Sequence, residues 1–354
     1  MKKPIIGISQ GDPNGVGLET IIKTFQYDFM FEHCVPVLYG NPKSFTFHKK
    51  ACNIDNLNYN LIKDVNEAKP NHLNLIASSN DAFEVQFGKS TENAGKEAFL
   101  AFKKLCEDAK GNKLDAIVTA PLDKSNIKIA EGFTGHTGYL SQFFNVSDSL
   151  MILSSDELKV GLITEHVSLS NVSEKLTANL IASKIKTANE SLKRDFGLLK
   201  PRIAVLGLNP HNGDNGAIGK EEKELIKPAI AKLNDEKIQC YGPYSADGFF
   251  GTRNYKNFDL VMAMYHDQGL IPFKSIAFDD GINFTAGLPI IRTSPDHGTG
   301  YDIAGKNIAS PLSFCNAVFA AIDIYKQRNE SDDLKKNPLL YSELKRERFR
   351  LELN

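Results

Sequence analysis

Short apolar runs that alternate with turns and helical stretches restrict this chain more than any other feature. PIIGIS (4–9) leads into GDPNGVGLETIIKTF (11–25), CVPVLYG (34–40) into NPKSFTFHKKA (41–51), and LDAIVTAP (114–121) into LDKSNIKIA (122–130). MILSS (151–155) precedes LKVGLIT (158–164), and PRIAVLGLNP (201–210), FDLVMAMYH (258–266) and LPIIRTSPDHG (288–298) continue the series. Strands that alternate with helices predict an α/β protein with mostly parallel pairing. Residues 172–194, VSEKLTANLIASKIKTANESLKR, carry apolar side chains at helical spacing and predict one amphipathic surface helix. The charged tail from Ser331 onward reads as a solvated helix.

At 354 residues the chain is long enough for two domains and a well-buried core. Its formal net charge of −1 supplies no basic field for nucleic acid or an anionic membrane. No apolar run approaches the roughly 18 residues that span a bilayer, and the N-terminal apolar stretch is interrupted by Gly7, Ser9 and Gln10, too early for a signal peptide. Five cysteines without a C-x-x-C pair fit reduced thiols, so the expected location is cytoplasmic.

Three of the eight histidines (His33, His48, His72) lie in ordinary surroundings; the other five each sit where an apolar stretch gives way to Gly, Thr, Asn or Asp. The five contexts are GFTGHTGYL, LITEHVSL, LNPHNGDNG, MYHDQG and SPDHGTG. A lone histidine at a strand end is more often structural, but five repeats of one context suggest convergence on one crevice at the sheet rim. His166, His211 and His266 are the metal candidates: three neutral imidazoles with an open position suit a divalent ion. Their spacings of 45 and 55 residues form no local motif. Asp247 and Asp267 are the carboxylates expected to orient those imidazoles.

Lys274 (in IPFKS), Asn283 (in GINFTAG) and Arg292 (in PIIRTS) form a second, anion-seeking group. The two cations stand near strand ends in apolar stretches, where an unpaired charge is costly, so they call for an anionic partner such as a phosphorylated carboxylic acid. His136 and Thr137, between Gly135 and Gly138, complete a possible phosphate cradle. GDPNGVG lacks the G-K-[ST] ending of a P-loop and is not G-x-G-x-x-G, so it reads as a tight strand-to-helix turn.

Taken in order, GDPNGVGLE, TAPLDK, GHTGYL, LNPHNGDNG, GPYSADGFF, YHDQGLIPFK and GINFTAGLPIIRTSPDHGTGYDIAG resemble the 4-hydroxythreonine-4-phosphate dehydrogenase family of pyridoxal phosphate biosynthesis. The resemblance runs from about residue 5 to about residue 325 and is most specific from Tyr265 to Gly305. It implies a fold like isocitrate and isopropylmalate dehydrogenases: two α/β/α domains with mostly parallel sheets, about residues 1–130 plus 300–354 and 131–299, with the active site in the interdomain cleft at a dimer interface. It implies metal ligands at His166, His211 and His266, shared between two subunits, and substrate contacts at His136, Thr137, Lys274, Asn283 and Arg292. Lys274, Asp247 and Asp267 are the expected catalytic groups. His297, Gly298, Thr299 and Asp302 fall in a loop similar to the one those enzymes place around the adenosine half of NAD.

The implied reaction is NAD- or NADP-dependent oxidation of 4-phosphohydroxy-L-threonine at C3 with one divalent metal (Zn, Mg or Co), followed by loss of CO₂. Alternatives are a four-carbon sugar acid phosphate dehydrogenase (threonate or erythronate 4-phosphate), a phosphate acyltransferase and, lowest, a non-enzymatic phosphate-binding protein. One departure from the pattern is Gly138, where an acidic residue is expected after G-H-T.

Overall fold

Residues 2–79, 83–130 and 132–336, which a computed structural model describes, build one sheet of twelve strands. The strands are β1 (Ile5–Ser9), β2 (Val35–Gly40), β3 (Tyr59–Ile62), β4 (Leu73–Ala77), β5 (Ala116–Thr119), β6 (Leu150–Ser154), β7 (Lys159–Leu162), β8 (Ile203–Leu206), β9 (Cys240–Tyr244), β10 (Leu260–Ala263), β11 (Ile282–Ala286) and β12 (Ile291–Pro295). Their order is β3-β4-β2-β1-β5-β12-β11-β6-β7-β10-β8-β9. The expected α/β class with mostly parallel pairing is what the chain adopts, and the sheet runs unbroken through both halves.

Pairing is antiparallel at β12–β11, β11–β6 and β6–β7 and parallel elsewhere. Following these directions across the sheet, β5 and β12 point one way, while β7, β10, β8 and β9 point the other. The single rim expected for the strand ends is therefore corrected. Three antiparallel steps reverse the sense of the second half, so the ends of β5 and β12 do not share an edge with those of β7 and β10.

What the two halves share is a face. Register pairs Asn283 with Ser294 on one side and with Leu153 on the other. Side chains alternate across a strand, so Thr119, Arg292, Ser294, Asn283, Thr285, Met151 and Leu153 all project to the same side of the sheet. Thr293 and Phe284 project to the opposite side, where the helix Leu312–Lys336 lies across β5, β12 and β11. That helix buries Phe314, Ala317, Val318, Ala321 and Ile322, a stripe at i, i+3, i+4, i+7 and i+8. Thr293 Oγ1 also donates to Ala317 O at 2.7 Å. One continuous core fills this side. The other side has two separate cores, one around Ile117, Phe102 and Leu140 and one around Leu153, Val160 and Phe273. The strip over β12 and β11, bordered by Met151 and Leu153 of β6, forms the floor of a groove.

Two local expectations change. Residues 172–194 form two helices, Val172–Lys175 and Ala178–Arg194, because the Thr177 hydroxyl accepts from Leu180 N (3.1 Å) and caps a new start. LDKSNIKIA holds only a short 3₁₀ turn, Lys124–Asn126. The helical reading of the tail holds through Lys336; positions 337–354 lie outside the described residues. No helix among the described residues is long and apolar enough to cross a membrane.

Candidate active site

The groove encloses a cavity of about 1280 Å³. Arg292 rises from its floor and is 3% exposed. Its Nε and Nη2 donate to Thr119 Oγ1 (3.2 and 2.8 Å) and its Nη1 donates to Thr285 Oγ1 (3.0 Å). These acceptors are neutral hydroxyls; among the described residues no carboxylate pairs with it. Burial therefore pushes the guanidinium pKa down to about 10, the mark of a charge that lacks its counter-ion. Beside it, Asn283 donates to Met151 Sδ (3.1 Å) while its buried Oδ1 has no partner.

Lys274 enters from above. It stands on the helix His266–Ile276, which corrects its expected place near a strand end: of the apolar stretch before it, Leu270 and Phe273 are buried while Ile271 is exposed. Its Nζ lies 3.5 Å from Asp296 Oδ1, and burial raises the Asp296 carboxyl above the usual range against the opposing pull of Lys274.

The helix His136–Phe143 starts at the same cavity. Its N-cap, Gly135, has φ +108°, a conformation that favours glycine, and a Cβ there would also push aside the Lys124 side chain, whose Cε would lie 2.5 Å away. His136 packs edge-on to Phe102 (4.7 Å), with a buried Nε2 that has no partner. Burial, then Arg292 and Lys124, lower its pKa well below the usual imidazole value. Free N–H groups of the first turn, with Thr137 among them, make this an anion-binding end. A Cβ at Gly138 would sit 2.1 Å from Thr134 Oγ1, so an acidic side chain there requires Thr134 to turn away.

At the far end His166 and His266 face each other with ring centroids 5.9 Å apart. Asp267 Oδ1 lies 2.7 Å from His266 Nδ1, which leaves Nε2 as the free ligand atom. Burial, followed by Lys124, lowers the His166 pKa, so its imidazole is held neutral. This donor set fits a borderline divalent ion.

His211 and Asp247 are not brought to this cavity. His211 is exposed on the loop after β8, and the Ser245 hydroxyl, followed by the Gly248 backbone N–H, holds Asp247 below the usual carboxylate range. Among the described residues no group of three His, Cys, Asp or Glu side chains assembles around one point. His211 begins a run of five left-handed residues, His211–Asn215, with φ between 43° and 72°. Asn, Gly and Asp tolerate this conformation; for His211 it costs about 1–2 kcal/mol.

The nucleotide-loop expectation divides likewise: His297 and Gly298 line the cavity, whereas Thr299 and Asp302 do not. His297 Nε2 is buried and unpartnered. GDPNGVG acts as the support of this loop. Val16 N donates to Thr299 O (2.9 Å), and a Cβ on Gly15 would come within 2.5 Å of that oxygen. Buried Asp12 accepts from Asn14 N, Asn126 Nδ2 and Tyr301 Oη, each at 2.8 Å. Sequence reasoning passed over Thr119, Thr285, Lys124 and Glu165, all but Thr285 lining the cavity; threonines inside apolar strands carry no distinguishing signal.

Comparison with known proteins adds to this geometry. The family model described as pyridoxal phosphate biosynthetic protein PdxA matches residues 32–321. A 4-hydroxythreonine-4-phosphate dehydrogenase of Bacteroides thetaiotaomicron is 46% identical over 94% of this chain and 92% of its own length. A Clostridium botulinum protein that carries a D-threonate 4-phosphate dehydrogenase name is 38% identical over 90% of this chain and 96% of its own. The crystal structure of 4-hydroxythreonine-4-phosphate dehydrogenase from Klebsiella pneumoniae superposes with a TM-score of 0.80 at 34% identity, covering 91% of this chain and 98% of that one.

Proposed function

Because this chain belongs to the PdxA family of pyridoxal phosphate biosynthetic proteins, we propose that it is a dehydrogenase that oxidises 4-phosphohydroxy-L-threonine at C3 with NAD⁺ or NADP⁺. Loss of CO₂ from the resulting β-keto acid then yields 3-amino-2-oxopropyl phosphate. The observation that carries this reading is Arg292: a buried guanidinium without a carboxylate partner, on the floor of the groove that also holds the His166–His266 pair.

Arg292, Lys274 and Asn283 would hold the anionic ends of the substrate, the first as a two-pronged fork and the second as a point charge. His136 Nε2 and the first-turn N–H groups, with Thr137, would take the phosphate oxygens. His297, Gly298, Thr299 and Asp302 would receive the dinucleotide, on the loop supported by Asp12 and Gly15. In oxidation the C3 hydride goes to the nicotinamide and the hydroxyl proton leaves; in decarboxylation the C–C electron pair stays on the substrate as an enolate, which then takes one proton at carbon. Lys274, which lines the cavity, would carry that proton, and Asp296, 3.5 Å from its Nζ, would recharge it.

His166 and His266, with His211 from a second copy of the chain, would hold one divalent ion (Zn, Mg or Co), and Asp267 and Asp247 would orient the imidazoles. When bound, such an ion lowers the pKa of a hydroxyl and polarises a carbonyl. The homodimer, the cleft at its interface, the division into residues 1–130 plus 300–354 and 131–299, and the cytoplasmic location belong to the same proposal. All five cysteines are unpaired, as reduced thiols would be.

A second substrate class, threonate or erythronate 4-phosphate, is supported by the Clostridium relative and differs by a hydroxyl in place of the amino group. Family membership sets the acyltransferase reading aside. The test is NAD⁺ reduction against 4-phosphohydroxy-L-threonine and threonate 4-phosphate, with and without a chelator. Chelator-sensitive turnover at least tenfold faster with the amino substrate is the expected result; a preference for threonate 4-phosphate transfers the assignment to the second class, and no turnover of either overturns both.

A further inference from the structure

Glu222 is buried to 2% exposure next to the loop that presents His211, and nothing in the reaction above uses it. It opens a π-helical turn, Glu222–Ile226, a rare element that is frequently found at functional sites. Among the described residues no cation pairs with its carboxylate. Oε1 accepts from Leu208 N (2.8 Å) and Asn209 N (2.7 Å), and Oε2 accepts from Asn209 Nδ2 (3.1 Å). The carboxylate also reaches the middle of the left-handed run: a Cβ on Gly213 would lie 2.6 Å from Oε2 as well as 2.5 Å from Gly219 O, and one on Gly207 would lie 3.2 Å from Oε1 and 2.3 Å from Asn212 Oδ1.

A second brace joins this loop to the His266 helix. Gln268 accepts from Met264 N (2.7 Å) and donates to Gly207 O (2.6 Å), while Asn212 Nδ2 donates to Pro243 O (2.8 Å). His211 is thus held in a left-handed conformation that its own type disfavours, and such residues persist only where their surroundings over-determine them. Glu222 ties the turn down at its entrance, where its carboxylate accepts from the Leu208 and Asn209 backbone N–H groups and from Asn209 Nδ2.

We infer that Glu222 is a positioning residue: through the backbone of Leu208 and Asn209 it fixes the left-handed turn from which His211 binds metal. This rests on the reading of His211 as a metal ligand. Acceptor geometry, rather than charge, is what the turn needs. A glutamine keeps one oxygen that both backbone N–H groups can share; an aspartate keeps the charge but falls short of them.

The experiment is a Co²⁺ titration of the full-length dimer, followed by ligand-field absorbance and by competition with a chelator, with circular dichroism and size-exclusion controls. His211→Ala and Glu222→Ala are expected to bind Co²⁺ about 10- to 100-fold more weakly, the range for ligands and the groups that orient them. Glu222→Asp is expected to lose at least fivefold and Glu222→Gln to stay within threefold of wild type. If Glu222→Ala fails to fold, the Asp and Gln pair decides. Affinity within threefold of wild type in Glu222→Asp or in folded Glu222→Ala, beside a tenfold loss in His211→Ala, overturns the positioning role and leaves the metal site standing. A Gln variant as weak as Asp also overturns it. Wild-type affinity in His211→Ala instead removes the metal assignment itself.

Discussion

Replacing Arg292 with methionine should separate binding from stability. The side chain is 3% exposed, and burial pushes its pKa from 12.5 down to about 10. At about 1.4 kcal/mol per tenfold, that is roughly 3 kcal/mol against the charged form in the empty groove. Three hydrogen bonds to Thr119 and Thr285 hydroxyls offset it, at about 1 kcal/mol each. Methionine fills similar volume without a charge, so the empty protein should change in stability by about 0 to +2 kcal/mol. With an unfolding entropy of ~2.1 cal/mol/K per residue, this corresponds to a Tm shift between about 0 and +3 °C. Ligand binding should fall much further. A two-pronged contact to an anion supplies roughly 3–5 kcal/mol, so affinity for 4-phosphohydroxy-L-threonine should drop at least about a hundredfold. Scanning calorimetry of the empty protein and titration calorimetry with the substrate read the two effects separately. A Tm that falls by about 4 °C or more with affinity kept within threefold would show Arg292 to be a structural brace, and the anion-site reasoning would be wrong.

Mixed dimers test the shared metal site. Because His166 and His266 meet within one chain, His211→Ala combined with His266→Ala should regain up to about a quarter of wild-type activity, half the dimers being mixed with one intact site each. His166→Ala combined with His266→Ala should stay dead; the reverse pattern would contradict the site as built here. His48 sets a pH dependence of stability. Burial pushes its pKa to about 4, with Nε2 2.7 Å from Pro13 O. The unfolded chain takes up this proton first, near pH 6.5, so the contribution is full above about 6.5 and is lost as pH falls toward 4. Urea unfolding at pH 7 and pH 5 should differ by about 2 kcal/mol from this group, and His48→Gln should remove that difference; an unchanged slope contradicts it. Gly15→Ala should raise KM for NAD⁺ several-fold by displacing Thr299, whose carbonyl would lie 2.5 Å from the new Cβ, and should leave substrate binding intact. An unaltered KM would exclude that loop from the nucleotide site.

Local chemistry made much of this molecule legible. A cation inside an apolar stretch marked Arg292 and Lys274, and apolar runs that end in His-Asp or Glu-His marked His266 and His166. Strand positions were readable because β1, β2, β5, β6 and β10 are fully or almost fully buried runs that no other element would tolerate. Direction was not readable. Whether GINFTAG runs with or against its neighbours depends on partners nine to more than 130 residues away, and that choice reverses half the sheet. The same non-locality separated His211 from His166 and His266, although all three share one sequence context. Glu222 lay hidden in GKEEKEL, where a charge run reads as solvated.

Clefts between domains commonly close about a loop that acts as a hinge. Here every strand from β5 to β7 is laddered to the next across the groove floor, so narrowing the groove means changing the twist between neighbours. A twist of about 20–25° per strand pair is normal, with a range of ten degrees or more either way. Small increments over β5–β12, β12–β11, β11–β6 and β6–β7 add up like the deflection of a leaf spring. Any narrowing of the groove is therefore shared among four strand pairs instead of being concentrated at one joint.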